Sequence, residues 1–209
     1  MEQVLENFYT QDEIERIWTE IKFLDSNTFG WIYPTVGRNA TDKNENLLLQ
    51  GARQLDYGMF GYHNENVLKK SNLYSLGQKI YDHAEFLSEK HDVYSNVLDI
   101  VYHTAFLNYY YKDNSVYNLH RDSSMYTLLS YFYEEPRNFT GGKFVVEDRE
   151  YEISNGFTII LPGWMKHGTT PMKIIDKSRT KSGRYSIAHF FWSMHPKHFD
   201  KDYQYAIKL

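Results

Sequence analysis

The chain contains no cysteine among its 209 residues. Disulfides and thiolate metal sites are therefore excluded, and histidine, aspartate and glutamate are left as candidate metal ligands. It has no long apolar run and no secretory hydrophobic segment at its start, so the expectation is a soluble, cytoplasmic protein. No internal repeat divides it, and no sign of charge dominates. With 23 basic against 27 acidic residues and a net charge of -4, composition alone does not point to nucleic acid.

Apolar residues, at 42%, suffice for a core, and aromatic residues reach 17%, with 19 tyrosines. That balance suggests a sheet-rich protein with a wet, aromatic-lined cleft. One domain over residues 1–209 is the expectation: a helical and loop support region to 96, a barrel core over 97–193 and a C-terminal tail from 194.

The elements follow from local signals. Thr10 and Glu13 form a capping box, and Ile14, Ile17, Trp18, Ile21 and Leu24 mark one face of a helix over 11–24. Turn residues fill 25–50 apart from Leu47-Leu48-Leu49, a short strand candidate, and the stretch 25–63 reads as a surface loop or a lid over a site. Tyr57, Phe60 and Tyr62 within it fit strand or helix equally. A second helix is expected over 72–90, capped by Ser71, with Leu73, Leu76, Ile80, Ala84 and Leu87 on its apolar stripe. Residues 97–111 read as helix then strand, or as strand throughout. Strands are expected near 126–133, 143–147, 150–153, 156–161 and 184–192, making a small antiparallel barrel with the helices on one outer face.

The chemistry concentrates between Tyr109 and His167 and in the strand opened by Arg184. His120 and Asp122 stand two apart, so an extended backbone points both side chains the same way. With His167 they offer two imidazoles and one carboxylate, the facial set of non-haem iron(II) oxygenases, which leaves the opposite positions open. Arg184 begins the alternating, aromatic Arg184–Trp192 stretch. A buried arginine there needs an anion, and a carboxylate suits its planar fork. Counting by twos puts Ser186, Ala188 and Phe190 on the arginine's face and His189 on the other, packed among aromatics. His63, His83, His91 and His103 read as surface or helix-packing histidines, and Pro196 spoils the geometry of a His195/His198 pair.

His120-X-Asp122, His167 and Arg184-X-Ser186 together resemble the pattern of the 2-oxoglutarate and iron(II)-dependent dioxygenases, within them the prolyl 4-hydroxylase-like group. The likeness runs from Asn108 to Trp192. It includes Tyr110 and Tyr117 before the first histidine, the Thr127–Tyr131 strand and the Gly141-Gly142 turn. It implies an α+β, mainly β fold, a double-stranded β-helix of jelly-roll or cupin type. It also implies Fe(II) held by His120, Asp122 and His167, with 2-oxoglutarate held by Arg184, Tyr110, Tyr131 and Ser186. The implied reaction consumes dioxygen, releases succinate and carbon dioxide and hydroxylates a C–H bond, with ascorbate as reductant. Arg184 stands further from His167 than the matching cation does in that group, and Arg179 in the intervening insert is its rival.

The resemblance points to a peptidyl proline or other amino-acid side chain as substrate, in a protein or peptide partner. The basic residues Lys166, Lys173, Lys177, Arg179 and Lys181 keep a nucleic-acid or nucleobase oxygenase as the alternative. A barrel without catalysis is the third reading.

Overall fold

A computed structural model describes residues 1–26, 31–35, 41–42, 44–56, 70–179 and 182–193. The expectations for His63, Tyr57, Phe60, Tyr62, Lys181, His195, His198 and the tail from 194 lie outside the described residues, as does much of the expected lid.

The chain opens with β1 (Gln3–Val4) and helix α1 (Gln11–Ser26), then β2 (Trp31–Ile32), β3 (Leu49–Gln50) and β4 (Ala52–Asp56). Helices α2 (Asn72–Ser75) and α3 (Ala84–Lys90) follow, and then β5 (Tyr102–Tyr110), β6 (Val116–Tyr117), β7 (Tyr126–Tyr133) and β8 (Phe139–Gly141). The last strands are β9 (Phe144–Val146), β10 (Arg149–Tyr151), β11 (Thr158–Pro162), β12 (His167–Thr169), β13 (Met172–Ile174) and β14 (Arg184–Trp192).

The major sheet is antiparallel, in the order β1-β11-β7-β14-β5-β4-β2, and three short sheets, β10-β9-β12, β13-β8 and β3-β6, accompany it. All eight residues of β7 are buried, because both faces of the major sheet are covered. On one face Leu128, Phe132, Ile160, Tyr185 and Ile187 join the helical residues Ile17, Ile21, Ile80 and Leu87 in one core cluster. On the other, Leu129, Tyr131, Ile159 and Ala188 meet Phe144 and Val146 of β9. The expected helix-covered, jelly-roll architecture is present, built as two facing layers.

The first helix forms as its capping box requires. The Thr10 amide donates to Glu13 Oε2 at 2.8 Å and the Glu13 amide to Thr10 Oγ1 at 3.3 Å. Ser71 also caps, accepting from the Tyr74 amide at 3.1 Å. The expected single helix over 72–90 needs correction, since Leu76–His83 winds as a tighter 3-10 helix between α2 and α3. Gly77 lies in it, and a Cβ there would stand 2.3 Å from His189 Nδ1. The segment is therefore pressed onto the sheet more closely than a larger residue allows. A 3-10 turn at Val97–Asp99 precedes β5, so the helix-then-strand alternative applies there. Of the Leu47–Leu49 candidate only Leu49 enters a strand, paired with Tyr117. β7 and β14 have the expected ends, whereas β9, β10 and β11 shift by one or two residues, and β8, β12 and β13 were not anticipated. No described helix is long and apolar enough to cross a membrane.

Candidate metal centre

Backbone pairing brings the two distant histidines together. His120 and His167 form an antiparallel bridge in which each amide donates to the other's carbonyl at 2.8 Å. Side chains opposite one another in such a pair project from the same face, and the two imidazole centroids are 4.4 Å apart. Asp122 is fixed by its amide, which donates to Gly163 O at 2.8 Å. Its carboxylate then lies 3.4 Å from His120 Nε2 through Oδ1 and 3.2 Å from His167 Nε2 through Oδ2. One ligand atom from each of the three falls within 4.8 Å of the other two.

Hydrogen bonds on the far side of each ring fix its orientation. His120 Nδ1 is 2.8 Å from Asn118 O, and His167 Nδ1 is 2.9 Å from Met165 O. A carbonyl only accepts, so both Nδ1 atoms carry a proton and Nε2 is the ring atom that faces the carboxylate. With Nδ1 engaged by the backbone in this way, Nε2 is the atom each ring can offer a metal. Tyr117 stacks on the His120 ring at 4.2 Å. Burial alone would raise the Asp122 carboxyl, but the two histidines outweigh it and hold it well below the usual carboxylate range. Burial pulls His167 down, and Asp122 raises it by more. Two neutral-capable imidazoles and an ionised carboxylate, with no thiolate, fit a divalent iron or similar ion.

The three residues open onto a narrow cavity of ≈ 20 Å³, whose wall also includes Tyr110, Tyr131, Ser186 and Asn108. Arg184 is fully buried beside this wall. Its guanidinium centre is 4.5 Å from the Tyr110 ring and 5.1 Å from the Tyr131 ring. Nη1 donates to Gly142 O, while Nε and Nη2 are buried without a partner among the described residues. Gly142 adopts φ +68, and a Cβ there would come within 3.2 Å of Nη1, so this glycine gives the arginine room. Burial lowers the Arg184 pKa, and the two tyrosines push back. Burial likewise raises the Tyr110 and Tyr131 hydroxyls, opposed by Arg184.

Arg179, the rival, has its donors turned to the carbonyls of Glu134, Glu135 and Pro136. His189 lies on the opposite face, as alternation requires. It is fully buried, 2.8 Å from His103 Nε2, among Phe191 and the Tyr74–His103 stack. His83 packs on Phe8 and His91 caps the Val93 amide. The sequence reading did not single out Asn108, Ser124 or the side chain of Thr127, which lie on or behind the cavity wall. The two-residue offset of Asn108 from Tyr110, which places both on one face of β5, was the available signal.

A Pseudomonas putida prolyl-4-hydroxylase superposes on this chain with a TM-score of 0.56 at 13% identity, over 93% of each chain. An oxidoreductase of the 2OG-Fe(II) oxygenase family from Burkholderia pseudomallei gives 0.56 at 13%, over 93% of this chain and 86% of its own. The chain has the 2OG-Fe(II) oxygenase fold. No protein-family model and no curated sequence matches it, so the oxygenase likeness is carried by architecture. Within that architecture, His120, Asp122 and His167 cluster at one end of the space between the two layers.

Proposed function

We propose that the chain is an Fe(II)- and 2-oxoglutarate-dependent dioxygenase that hydroxylates a C–H bond on a prolyl or other amino-acid side chain of a peptide or protein. The observation that carries this reading is the pairing of the His120–Asp122–His167 cluster with Arg184. One cavity thus has a cation-binding end and, beside its wall, a buried cation with two nitrogens unpartnered among the described residues. A dicarboxylate that reaches a metal with one end and an arginine with the other satisfies both.

In this reading His120 and His167 present Nε2 and Asp122 presents one carboxylate oxygen to the iron. Bound iron and 2-oxoglutarate supply the oxidative chemistry, turning dioxygen and the keto acid into succinate, carbon dioxide and a hydroxylated product. Arg184 would hold the distal carboxylate through Nε and Nη2, and Tyr110 and Tyr131, whose rings flank the guanidinium, would help to bind it. Ser186 lies on the same face of β14, and its hydroxyl serves the same carboxylate. The apolar wall from Leu129, Phe144, Ala188 and Phe190 excludes water.

A peptide is preferred over nucleic acid because two of the basic residues are already engaged within the fold. Lys177 pairs with Asp113 at 2.6 Å and Arg179 is held by carbonyls. The similarity in fold to a Pseudomonas putida prolyl-4-hydroxylase supports the same choice. The test is succinate formation from 2-oxoglutarate with Fe(II), ascorbate and a panel of proline-containing peptides and oligonucleotides. Stimulation by a peptide supports the reading. Stimulation by oligonucleotides alone moves the substrate to nucleic acid, and no turnover with any substrate or alone favours a barrel without catalysis.

A further inference from the structure

Behind Asp122 stands a short chain of hydroxyls. Thr127, fully buried on β7, places Oγ1 2.6 Å from Asp122 Oδ2, and Ser124 Oγ lies 2.9 Å from that same Thr127 oxygen. A carboxylate only accepts, so the Thr127 proton points at Asp122 and the Ser124 proton must point at Thr127. Both directions are set by one acceptor. The other oxygen, Asp122 Oδ1, faces His120 Nε2.

We propose that Thr127 is a positioning residue that holds Asp122 Oδ2 and so commits the carboxylate to bind the metal through Oδ1 alone, with Ser124 fixing the direction of the Thr127 hydroxyl. This rests on the iron reading given above. A carboxylate bound through one oxygen leaves three positions of an octahedral ion open beside the two imidazoles. A carboxylate bound through both fills one of them. Two open positions are needed for the keto acid and one for dioxygen, so the hydroxyl protects the count on which the chemistry depends. Oδ2 also lies 3.2 Å from His167 Nε2. With an ion held by Oδ1 and the two Nε2 atoms, the Thr127 bond is the restraint that keeps Oδ2 off the metal.

Co(II) alone is the probe, titrated into the full chain and followed by its visible d–d absorption and by calorimetry. Thr127→Val keeps the β-branched shape and removes the hydroxyl. It is expected to shift the d–d band and to weaken Co(II) binding about 10–100-fold, the range for loss of a residue supporting a metal ligand. Thr127→Ser restores the hydroxyl and should return both readings to those of the parent chain. The assignment is overturned if Thr127→Val matches the parent in band and affinity, or if Thr127→Ser is as impaired as Thr127→Val, which would make packing the cause. Should Thr127→Val fail to fold by circular dichroism, Ser124→Ala must show the same band shift at smaller amplitude, and a parent-like band there overturns the assignment. A parent chain that does not bind Co(II) refutes the iron reading itself.

Discussion

Replacing Arg184 by methionine separates the two roles a buried arginine can have. In the structure this side chain is fully buried, gives one hydrogen bond to Gly142 O and leaves Nε and Nη2 without partners among the described residues. If those two groups await a carboxylate, the substitution removes two charge-assisted bonds of about 1.5–3 kcal/mol each, so about 3–6 kcal/mol of 2-oxoglutarate binding. At 1.4 kcal/mol per tenfold, the dissociation constant rises roughly 10²–10⁴-fold. Stability without ligand behaves differently. Removing an uncompensated buried charge gains about 1–4 kcal/mol by analogy with buried ion pairs, and stranding the Gly142 carbonyl costs about 1–3 kcal/mol. The two nearly offset, and at about 2–4 °C per kcal/mol the unfolding midpoint should move by less than roughly 5 °C. Calorimetry of 2-oxoglutarate on Mn(II)-loaded protein, beside thermal unfolding without ligand, reads both quantities. Parent-like 2-oxoglutarate affinity in Arg184→Met would refute the carboxylate role. A midpoint lower by more than about 10 °C, matching the 3–5 kcal/mol of a broken buried pair, would show that the arginine is already satisfied in the fold.

Further outcomes follow from the same geometry. Burial holds His103 down at about 3 and His189 well below 6.5, so below pH 6.5 the unfolded chain takes up protons that the folded chain refuses. Their contribution is complete above pH 6.5 and is lost as pH falls toward the folded values, by about 1.4 kcal/mol per unit for each histidine. Urea unfolding from pH 7 to 4 should show this fall, and His103→Phe should make it shallower; an unchanged slope would refute the assignment. Gly77→Ala, whose Cβ would meet the His189 ring, should lose about 1–3 kcal/mol by overpacking, and an unfolding midpoint equal to the parent's would contradict that close approach. Thr10→Ala removes the reciprocal cap of the first helix and should cost about 1 kcal/mol in chemical unfolding.

What could be read from the sequence tracks how local each cause is. The Arg184–Trp192 strand was legible to the residue because it starts with alternation and is rich in aromatics, and the Tyr126–Tyr133 strand because Thr127–Tyr131 resembles the threonine-to-tyrosine strand of the oxygenases. The first helix was legible because a capping box and an apolar stripe agree. β8, β12 and β13 have three residues each, too few to show a period, and they form because longer strands place partners beside them. The 3-10 winding at Leu76–His83 could not be seen locally, and the His189 ring that packs against Gly77 there comes from a distant strand. His120 and Asp122 were recognisable as a pair by their spacing. Their meeting with His167 depends on a backbone bridge, and the carbonyls of Asn118 and Met165 that orient the imidazoles leave no trace in residue identity. The hydroxyl chain from Ser124 through Thr127 was equally hidden, because neither side chain is unusual until the turn after Asp122 folds back on β7.

The central claim is that this cavity binds Fe(II) and 2-oxoglutarate together. An anaerobic absorption titration of the protein with Fe(II) and then 2-oxoglutarate, repeated on His167→Ala, tests it most directly. The account predicts a visible charge-transfer band that needs both additions and is missing in the variant. A folded parent chain that binds iron and shows no such band, or a band that survives in His167→Ala, would contradict it.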